Sequence, residues 1–151
     1  MAKIDPHLLI VWHSRTGASE AMAKAALAGG GAACRILTAD RTTSEDLLDA
    51  GAYLFVCPEN LASMSGLMKE MFDRNYYPVL GKIEGQAYAT IIAAGSDGIG
   101  AQQQIDRIAK GWRLKRVADP RIGNFEAQSP ERILAEKSVD ESRLEECRER
   151  G

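Results

Sequence analysis

The chain has 151 residues, of which 45% are hydrophobic and 26% charged, and its formal net charge is −2. These values are typical of a soluble globular protein, so we expect one domain over residues 1–151, large enough to bury about 70% of the surface of its unfolded chain. No basic patch or long apolar run points to a nucleic-acid or membrane partner, and three cysteines without metal-ligand spacing favour a cytoplasmic protein with no disulfide framework and no metal.

The first predicted elements are a strand at Leu8–Trp12 and an Ala-rich helix from about residue 17 to 27, joined by a turn rich in Ser and Thr. The first N–H groups of a helix have no intrahelical acceptor, and the helix dipole favours an anion there. Gly17 lets the backbone come close to a ligand. Because neither a P-loop lysine nor three spaced glycines follow, the turn predicts a phosphate site for a mononucleotide such as FMN.

The rest of the chain alternates apolar strands with helical periodicity, which predicts βαβ units and a parallel sheet. The capping box Thr42-Thr43-Ser44-Glu45 predicts a short helix that ends near Ala50. Residues 58–66 are interpreted as a loop, and Gly29-Gly30-Gly31 as the stop of the first helix. Further strands are predicted at 33–37, 52–57, 87–94 and 114–118, and a terminal helix from residue 129 onward. Two more helices are predicted from apolar faces that would be buried, one made by Leu67, Met68, Met71 and Phe72 and the other by Ile105, Ile108, Ala109 and Trp112.

Five such strands are expected to form a doubly wound sheet in a three-layer αβα fold, and the order 2-1-3-4-5 is taken from a known doubly wound fold rather than derived from these residues. Strands 1, 3 and 4 are then neighbours, and ligands bind where their carboxyl ends meet. The loops that follow these strands are 13–19, 58–66 and 94–100, which are also rich in Gly, Ser, Thr and Asn. We therefore expect one pocket, with the first loop for phosphate and the other two for a ring.

Two of these segments carry a resemblance to a known family. The loop Ser14–Ser19 and the block Pro58–Lys69, which continues to Arg74, are similar to the flavodoxin-like superfamily, nearest to its small NAD(P)H-dependent FMN and quinone reductases. The loop Gly95–Gly100 matches the third contact loop of that family more loosely. The resemblance covers roughly residues 8–118 and implies a flavodoxin-like α/β fold with FMN as cofactor and NAD(P)H as electron donor.

The resemblance also implies the binding residues. The FMN phosphate would be held by Ser14, Thr16, Gly17, Ala18 and Ser19, with Arg15 as a candidate for that phosphate or the 2′-phosphate of NADPH. One side of the isoalloxazine ring would be lined by Pro58, Glu59, Asn60, Leu61 and Ala62. The other side would be lined by Gly95, Ser96, Asp97 and Gly98. No catalytic side chain is implied, because the flavin carries the redox chemistry.

The resemblance leaves the function open between three classes. Electron-carrier flavodoxins shield the ring with aromatic residues and are strongly acidic. Here loops 58–66 and 94–100 contain no Trp, Tyr or Phe, and the formal net charge is only −2. This favours an oxidoreductase that passes electrons from NAD(P)H to a small acceptor such as a quinone or free flavin. The alternatives are an electron-transfer flavodoxin that docks on protein partners and a doubly wound interaction module without flavin. Members of the family often form homodimers or tetramers, so the oligomeric state stays open.

Three single residues also have two interpretations each. His13 is either structural or a switch or proton donor at the end of the first strand. Glu59 either bonds the edge of the ring or is an exposed loop carboxylate. Cys57 is interpreted as a small buried hydrophobe, since nothing near it in the sequence predicts an activated thiolate.

Overall fold

The computed structural model describes residues 7–15, 17–30, 34–94, 98–117 and 121–124. Strands and helices alternate through most of this part of the chain, as the sequence predicts, and a short 3₁₀ turn follows β2. In chain order the elements are β1 (Leu8–Trp12), α1 (Ala18–Gly30), β2 (Cys34–Thr38), α2 (Ser44–Asp49), β3 (Ala52–Asn60), β4 (Ser63–Met64), α3 (Gly66–Val79), β5 (Ala87–Ala94), α4 (Ile99–Gly111), β6 (Lys115–Arg116) and β7 (Arg121–Asn124).

The main sheet is parallel, with strand order β2-β1-β3-β5-β6. β6 pairs with Ala87 and Tyr88 at the start of β5, while β7 pairs with its second half, so the two short strands share one edge position. The predicted fourth and fifth strands correspond to β5 and β6. The predicted order 2-1-3-4-5 and the doubly wound flavodoxin-like class are therefore confirmed.

The two faces of the sheet bury separate apolar clusters because side chains alternate along each strand. On one face Leu9, Val11 and Phe55 pack with buried residues of α2, α3 and α4 and with Trp112, which directly follows α4. On the other face Ile10 and Leu54 pack with the small side chains of α1. Helices therefore cover both faces, which gives the predicted three layers and leaves the carboxyl edge of the sheet for a site.

The segment after the third strand was predicted as a loop, and that prediction is wrong. β3 continues to Asn60, and β4 folds back antiparallel against its end. The two residues between them, Leu61 and Ala62, have φ of 51° and 63°. A two-residue hairpin turn with both residues at positive φ normally uses Asn-Gly or Asp-Gly, so a Leu-Ala turn gives no sequence signal.

Helix boundaries differ from the predictions in smaller ways. α1 continues through Gly29 to Gly30 instead of stopping at the glycine run. The capping box of α2 pairs Thr43 with Asp46, one residue later than predicted, because Thr43 has the extended backbone of an N-cap. Leu67 was placed on the buried face of α3, but it is 45% exposed. The helix predicted from residue 129 lies outside the described residues.

Candidate functional site

The carboxyl ends of β1, β3 and β5 lie side by side, as the predicted pocket requires. Trp12 at the end of β1 is in register with Val56 of β3, and Pro58 of β3 with Ala93 of β5. The three predicted ligand loops therefore leave the sheet at the same edge. Thr16 and the range 95–97, which were predicted as site residues, lie outside the described part of the chain.

The first loop delivers the chain into the start of α1. Ser14 Oγ accepts a hydrogen bond from the Gly17 N–H at 2.9 Å, which closes a tight turn. Gly17 has a φ of 99°, a conformation that residues with a Cβ rarely adopt. The first helical residues, Ala18 and Ser19, are buried, whereas Arg15 is exposed. The loop is thus a well-formed helix start beside the ends of β1 and β3.

Ser19 is the informative residue of this helix start. Its side chain is 1% exposed, and its Oγ has no hydrogen-bond partner among the described residues. A buried polar atom without a partner costs ~1–3 kcal/mol and calls for an explanation. An anion at the start of α1 would accept from this hydroxyl and from the first N–H groups of the helix. The residues present therefore fit a phosphate group.

His13 is a second polar residue in this loop with an unpartnered atom. Its Nδ1 is buried and has no hydrogen-bond partner in the described part of the structure. Burial lowers the pKa of His13, the guanidinium of Arg15 lowers it further, and the carboxylate of Asp40 partly opposes both. The imidazole is therefore neutral at pH 7, and an anion bound beside it would raise its pKa.

The second and third loops meet through Glu59. Its Oε1 accepts from the Gly98 N–H at 3.1 Å, and its Oε2 accepts from the Ala101 N–H at 3.0 Å. Gly98 is the N-cap of α4 and has no side chain to cap the helix itself. Glu59 supplies the cap from the neighbouring hairpin and is half-buried rather than an exposed loop carboxylate. The end of α4 that attracts anions is therefore occupied by the protein's own carboxylate.

Two further contacts hold the same elements together. A Cβ at Gly100 would overlap the carbonyl oxygen of Ala62, so the turn of the hairpin lies directly against the first turn of α4. The Met64 N–H donates to Gln104 Oε1 at 2.8 Å, one turn further along the helix. We name these contacts, together with the two bonds of Glu59, the hairpin–α4 clamp.

Sequence reasoning missed the residues of the clamp on the helix side, which are Gly100, Ala101 and Gln104. A signal was present at Gly98, because α4 begins without the Ser, Thr, Asp or Asn that usually caps a helix. Such a start needs an acceptor from elsewhere in the chain. The sequence does not show which residue provides it, since Glu59 is 39 positions away from its nearer partner.

Among the described residues, this edge of the sheet has neither an activated cysteine nor a cluster of metal ligands. Burial raises the pKa of the Cys57 thiol to about 12, Glu59 adds to the rise, and an N–H of Ser65 partly opposes it. The side chain is fully buried, as predicted, and stays protonated at pH 7. Within the described residues, no group of three or more His, Cys, Asp or Glu side chains is placed to hold a metal ion. The same part of the chain has no helix that is both long and apolar enough to cross a membrane.

Comparison with solved structures finds similar folds in flavodoxins and in an NADPH-quinone reductase. A flavodoxin from the domain Archaea matches with a TM-score of 0.73 and 17% identity, over 95% of this chain and 92% of that chain. A flavodoxin, WrbA-like protein from Agrobacterium tumefaciens matches with a TM-score of 0.66 and 16% identity, over 97% and 99%. An NADPH-quinone reductase from P. pentosaceus matches with a TM-score of 0.62 and 17% identity, over 87% and 95%.

No family model and no curated protein matches the sequence. At identities of 16–17% the structural likeness establishes the architecture and not the activity. The strand order, the three layers and these neighbours agree, and the chain has the flavodoxin-like fold.

Proposed function

We propose that the protein binds FMN noncovalently and passes electrons from NAD(P)H to a small acceptor such as a quinone or free flavin. The observation that carries the proposal is the buried Ser19 hydroxyl without a partner among the described residues, at the start of α1. It lies at the sheet edge where doubly wound folds bind their ligands. The flavodoxins and the NADPH-quinone reductase among the structural neighbours support the choice of ligand and donor.

The two helix starts at this edge support a mononucleotide over a dinucleotide. The start of α1 offers an unpartnered hydroxyl, whereas the start of α4 is capped by Glu59. We therefore place the proposed phosphate site at the start of α1, with Ser14, Gly17, Ala18 and Ser19 among the described residues. The ring would lie between the hairpin at 58–62 and the loop at 95–98, as the resemblance implies.

The protein's part in the chemistry is to bind, orient and shape the cofactor site. A flavin held there would supply the redox chemistry, namely hydride transfer from NAD(P)H and electron transfer to the acceptor. Ser19 and the first N–H groups of α1 would hold the phosphate. The hairpin and the start of α4 would set the plane of the ring. No side chain of the chain is assigned as a catalytic acid, base or nucleophile.

A reductase is favoured over a carrier because aromatic side chains are absent from the loops beside the ring site. Loops 58–66 and 94–100 contain none, and the aromatic side chains of Tyr53, Phe55, Phe72 and Trp112 are buried in the core. One face of the ring therefore stays accessible to nicotinamide or a quinone. The second candidate, an electron-transfer flavodoxin, is supported by Leu61, which is fully exposed at the hairpin tip as a contact for a protein partner would be.

The first experiment is a titration of the protein with FMN, followed through quenching of flavin fluorescence. We expect saturable one-to-one binding, and its absence at high protein concentration would favour the interaction module without flavin. Anaerobic mixing of the FMN-loaded protein with NADPH then separates the two electron-transfer functions. Fast bleaching of the flavin supports the reductase, and an unchanged spectrum supports the carrier. Oligomeric state and cytoplasmic location remain predictions.

A further inference from the structure

The hairpin–α4 clamp joins the two segments that are proposed to lie on opposite sides of the flavin ring. Glu59 belongs to the hairpin, and both of its hydrogen-bond donors, Gly98 and Ala101, belong to the start of α4. Both bonds are charge-assisted, because a carboxylate accepts them at the positive end of a helix dipole. One side chain therefore joins the two segments through two hydrogen bonds and helps to set their separation.

The hairpin needs this support, because its turn is strained. Leu61 and Ala62 both have a positive φ, a conformation that costs ~1–3 kcal/mol for each residue that is not glycine. Such a turn persists only where surrounding contacts determine it. The contact of Ala62 with Gly100 and the bond from Met64 to Gln104 supply such contacts, and all of them lead to α4.

Helix α4 is in turn fixed to the sheet by a chain of buried and partly buried hydrogen bonds. Thr90 of β5 donates to Gln102 Oε1 at 2.6 Å, and Gln102 Nε2 donates to Asp106 Oδ1 at 3.0 Å. Tyr88 of β5 donates to the same Asp106 oxygen at 2.7 Å. The clamp thus attaches the hairpin to a helix that the sheet already holds in place.

We propose that Glu59 is a positioning residue for the flavin ring, which it serves by capping α4 and so fixing the separation of the hairpin from the start of that helix. This inference rests on the proposed binding of FMN. Glu59 acts on the ring through the two segments it joins and not on the phosphate. Loss of the Glu59 carboxylate is therefore expected to weaken the binding of riboflavin and of FMN by the same factor, because riboflavin carries the ring without the phosphate.

The test compares Glu59→Gln with wild-type protein. In the variant, the amide oxygen replaces only one of the two carboxylate oxygens, so it can keep only one of the bonds from Gly98 and Ala101. The amide NH₂ then faces the other N–H group, and two donors cannot bond to each other. We expect the Kd of FMN and of riboflavin each to rise about tenfold, as the loss of one charge-assisted bond predicts. At saturation the visible circular dichroism of the bound flavin changes, because the ring is held differently. Glu84→Gln is the control, since Glu84 is exposed and its side chain has no bonded partner among the described residues. We expect it to leave the Kd of FMN and the Kd of riboflavin unchanged.

A second variant disturbs the clamp while keeping the Glu59 carboxylate, although the added Cβ would also lie 3.3 Å from Glu59 Oε2. Gly100→Ala pushes the turn of the hairpin away from α4. A positioning role predicts the same change of the flavin spectrum in Gly100→Ala as in Glu59→Gln. A changed spectrum in Glu59→Gln alone would overturn the proposal in favour of direct contact between Glu59 and the ring, and wild-type affinity and spectrum in both variants would overturn it outright.

Amide hydrogen exchange on the flavin-free protein separates the failure of this inference from that of the proposed function. The Gly98 and Ala101 amides should exchange faster in Glu59→Gln than in wild type, and unchanged rates would overturn the proposal because the cap would then hold nothing. If wild-type protein binds no flavin, both proposals fail. Faster exchange in the variant would then show that the cofactor assignment, and not the clamp, was the error.

Discussion

The starts of α1 and α4 lie at the same edge of the sheet and solve the same physical problem in opposite ways. Each helix presents N–H groups that have no intrahelical acceptor. At α4 the chain meets this need itself, with the carboxylate of Glu59 from the neighbouring hairpin. At α1 the Ser14 hydroxyl serves the turn, and the buried Ser19 hydroxyl remains without a partner in the described structure.

The difference between the two helix starts indicates which of them is suited to bind an anion. A helix start that is internally satisfied gains nothing from an external anion, and Glu59 would repel one. A helix start with a buried donor left over gains both a hydrogen bond and a favourable dipole interaction from an anion. We therefore propose that the phosphate binds at the start of α1 and that the start of α4 has a structural role.

The largest effect is expected from a negative charge placed at the start of α1. Ser19→Asp should raise the Kd of FMN at least about 100-fold, because a carboxylate a few ångströms from a phosphate costs several kcal/mol. Ser19→Asn is the matched neutral variant of the same size and should retain most of the affinity. Fluorescence titration of both variants measures the ratio. Equal affinity of the two would show that no phosphate binds there.

The next effect concerns the close contact at the start of α4. Gly100→Ala should lower the free energy of unfolding by about 2 kcal/mol, because the added Cβ overlaps the backbone of Ala62. Gly66→Ala is the control at the start of α3, where a Cβ would meet nothing within 4 Å, and it should change stability by less than about 0.5 kcal/mol. Urea denaturation of both variants gives the comparison. Equal stability would mean that the hairpin is not packed against α4.

Ser19→Ala should change stability and binding in opposite directions. Removing a buried hydroxyl that has no partner should stabilise the flavin-free protein by up to about 1 kcal/mol. The same change should raise the Kd of FMN about tenfold, because one hydrogen bond to the phosphate is lost. Riboflavin, which lacks the phosphate, should bind to the variant as tightly as to the wild-type protein. Thermal unfolding and paired titrations measure both. A loss of stability in the flavin-free variant would indicate that the hydroxyl already has a partner.

The start of α2 gives the smallest effect and a reference for a helix that caps itself. Burial alone would raise the pKa of Asp46, but hydrogen bonds from Thr43 and the ion pair with Arg35 outweigh it and lower the pKa below its ordinary value. The carboxylate therefore stabilises the fold above that ordinary value, and this contribution is lost as pH falls through the lowered pKa. Asp46→Asn should cost about 1 kcal/mol at pH 7. Urea denaturation should show the difference shrinking in acid, whereas a constant difference would contradict the cap.

Periodicity predicted the strands and the layers, because burial on both faces of β1, β3 and β5 leaves a plain apolar signal in the sequence, whereas the strand order was taken from a known doubly wound fold. It failed at the hairpin, where Leu61 and Ala62 adopt a turn for which neither residue has a preference. The same limit applies to Glu59, whose type and loop were noticed but whose partners 39 and 42 positions away only the fold brings near. Predictions for Thr16 and the range 95–97 remain predictions, since those residues lie outside the described structure.

The measurement that tests the central claim most directly is a parallel titration of wild-type protein with FMN and riboflavin. If the start of α1 holds the phosphate, FMN quenches one-to-one and binds at least about tenfold more tightly than riboflavin, the difference that one charge-assisted hydrogen bond provides. Equal affinities would show that the phosphate does not bind at α1. Absence of saturable binding for both ligands would contradict the flavin assignment altogether.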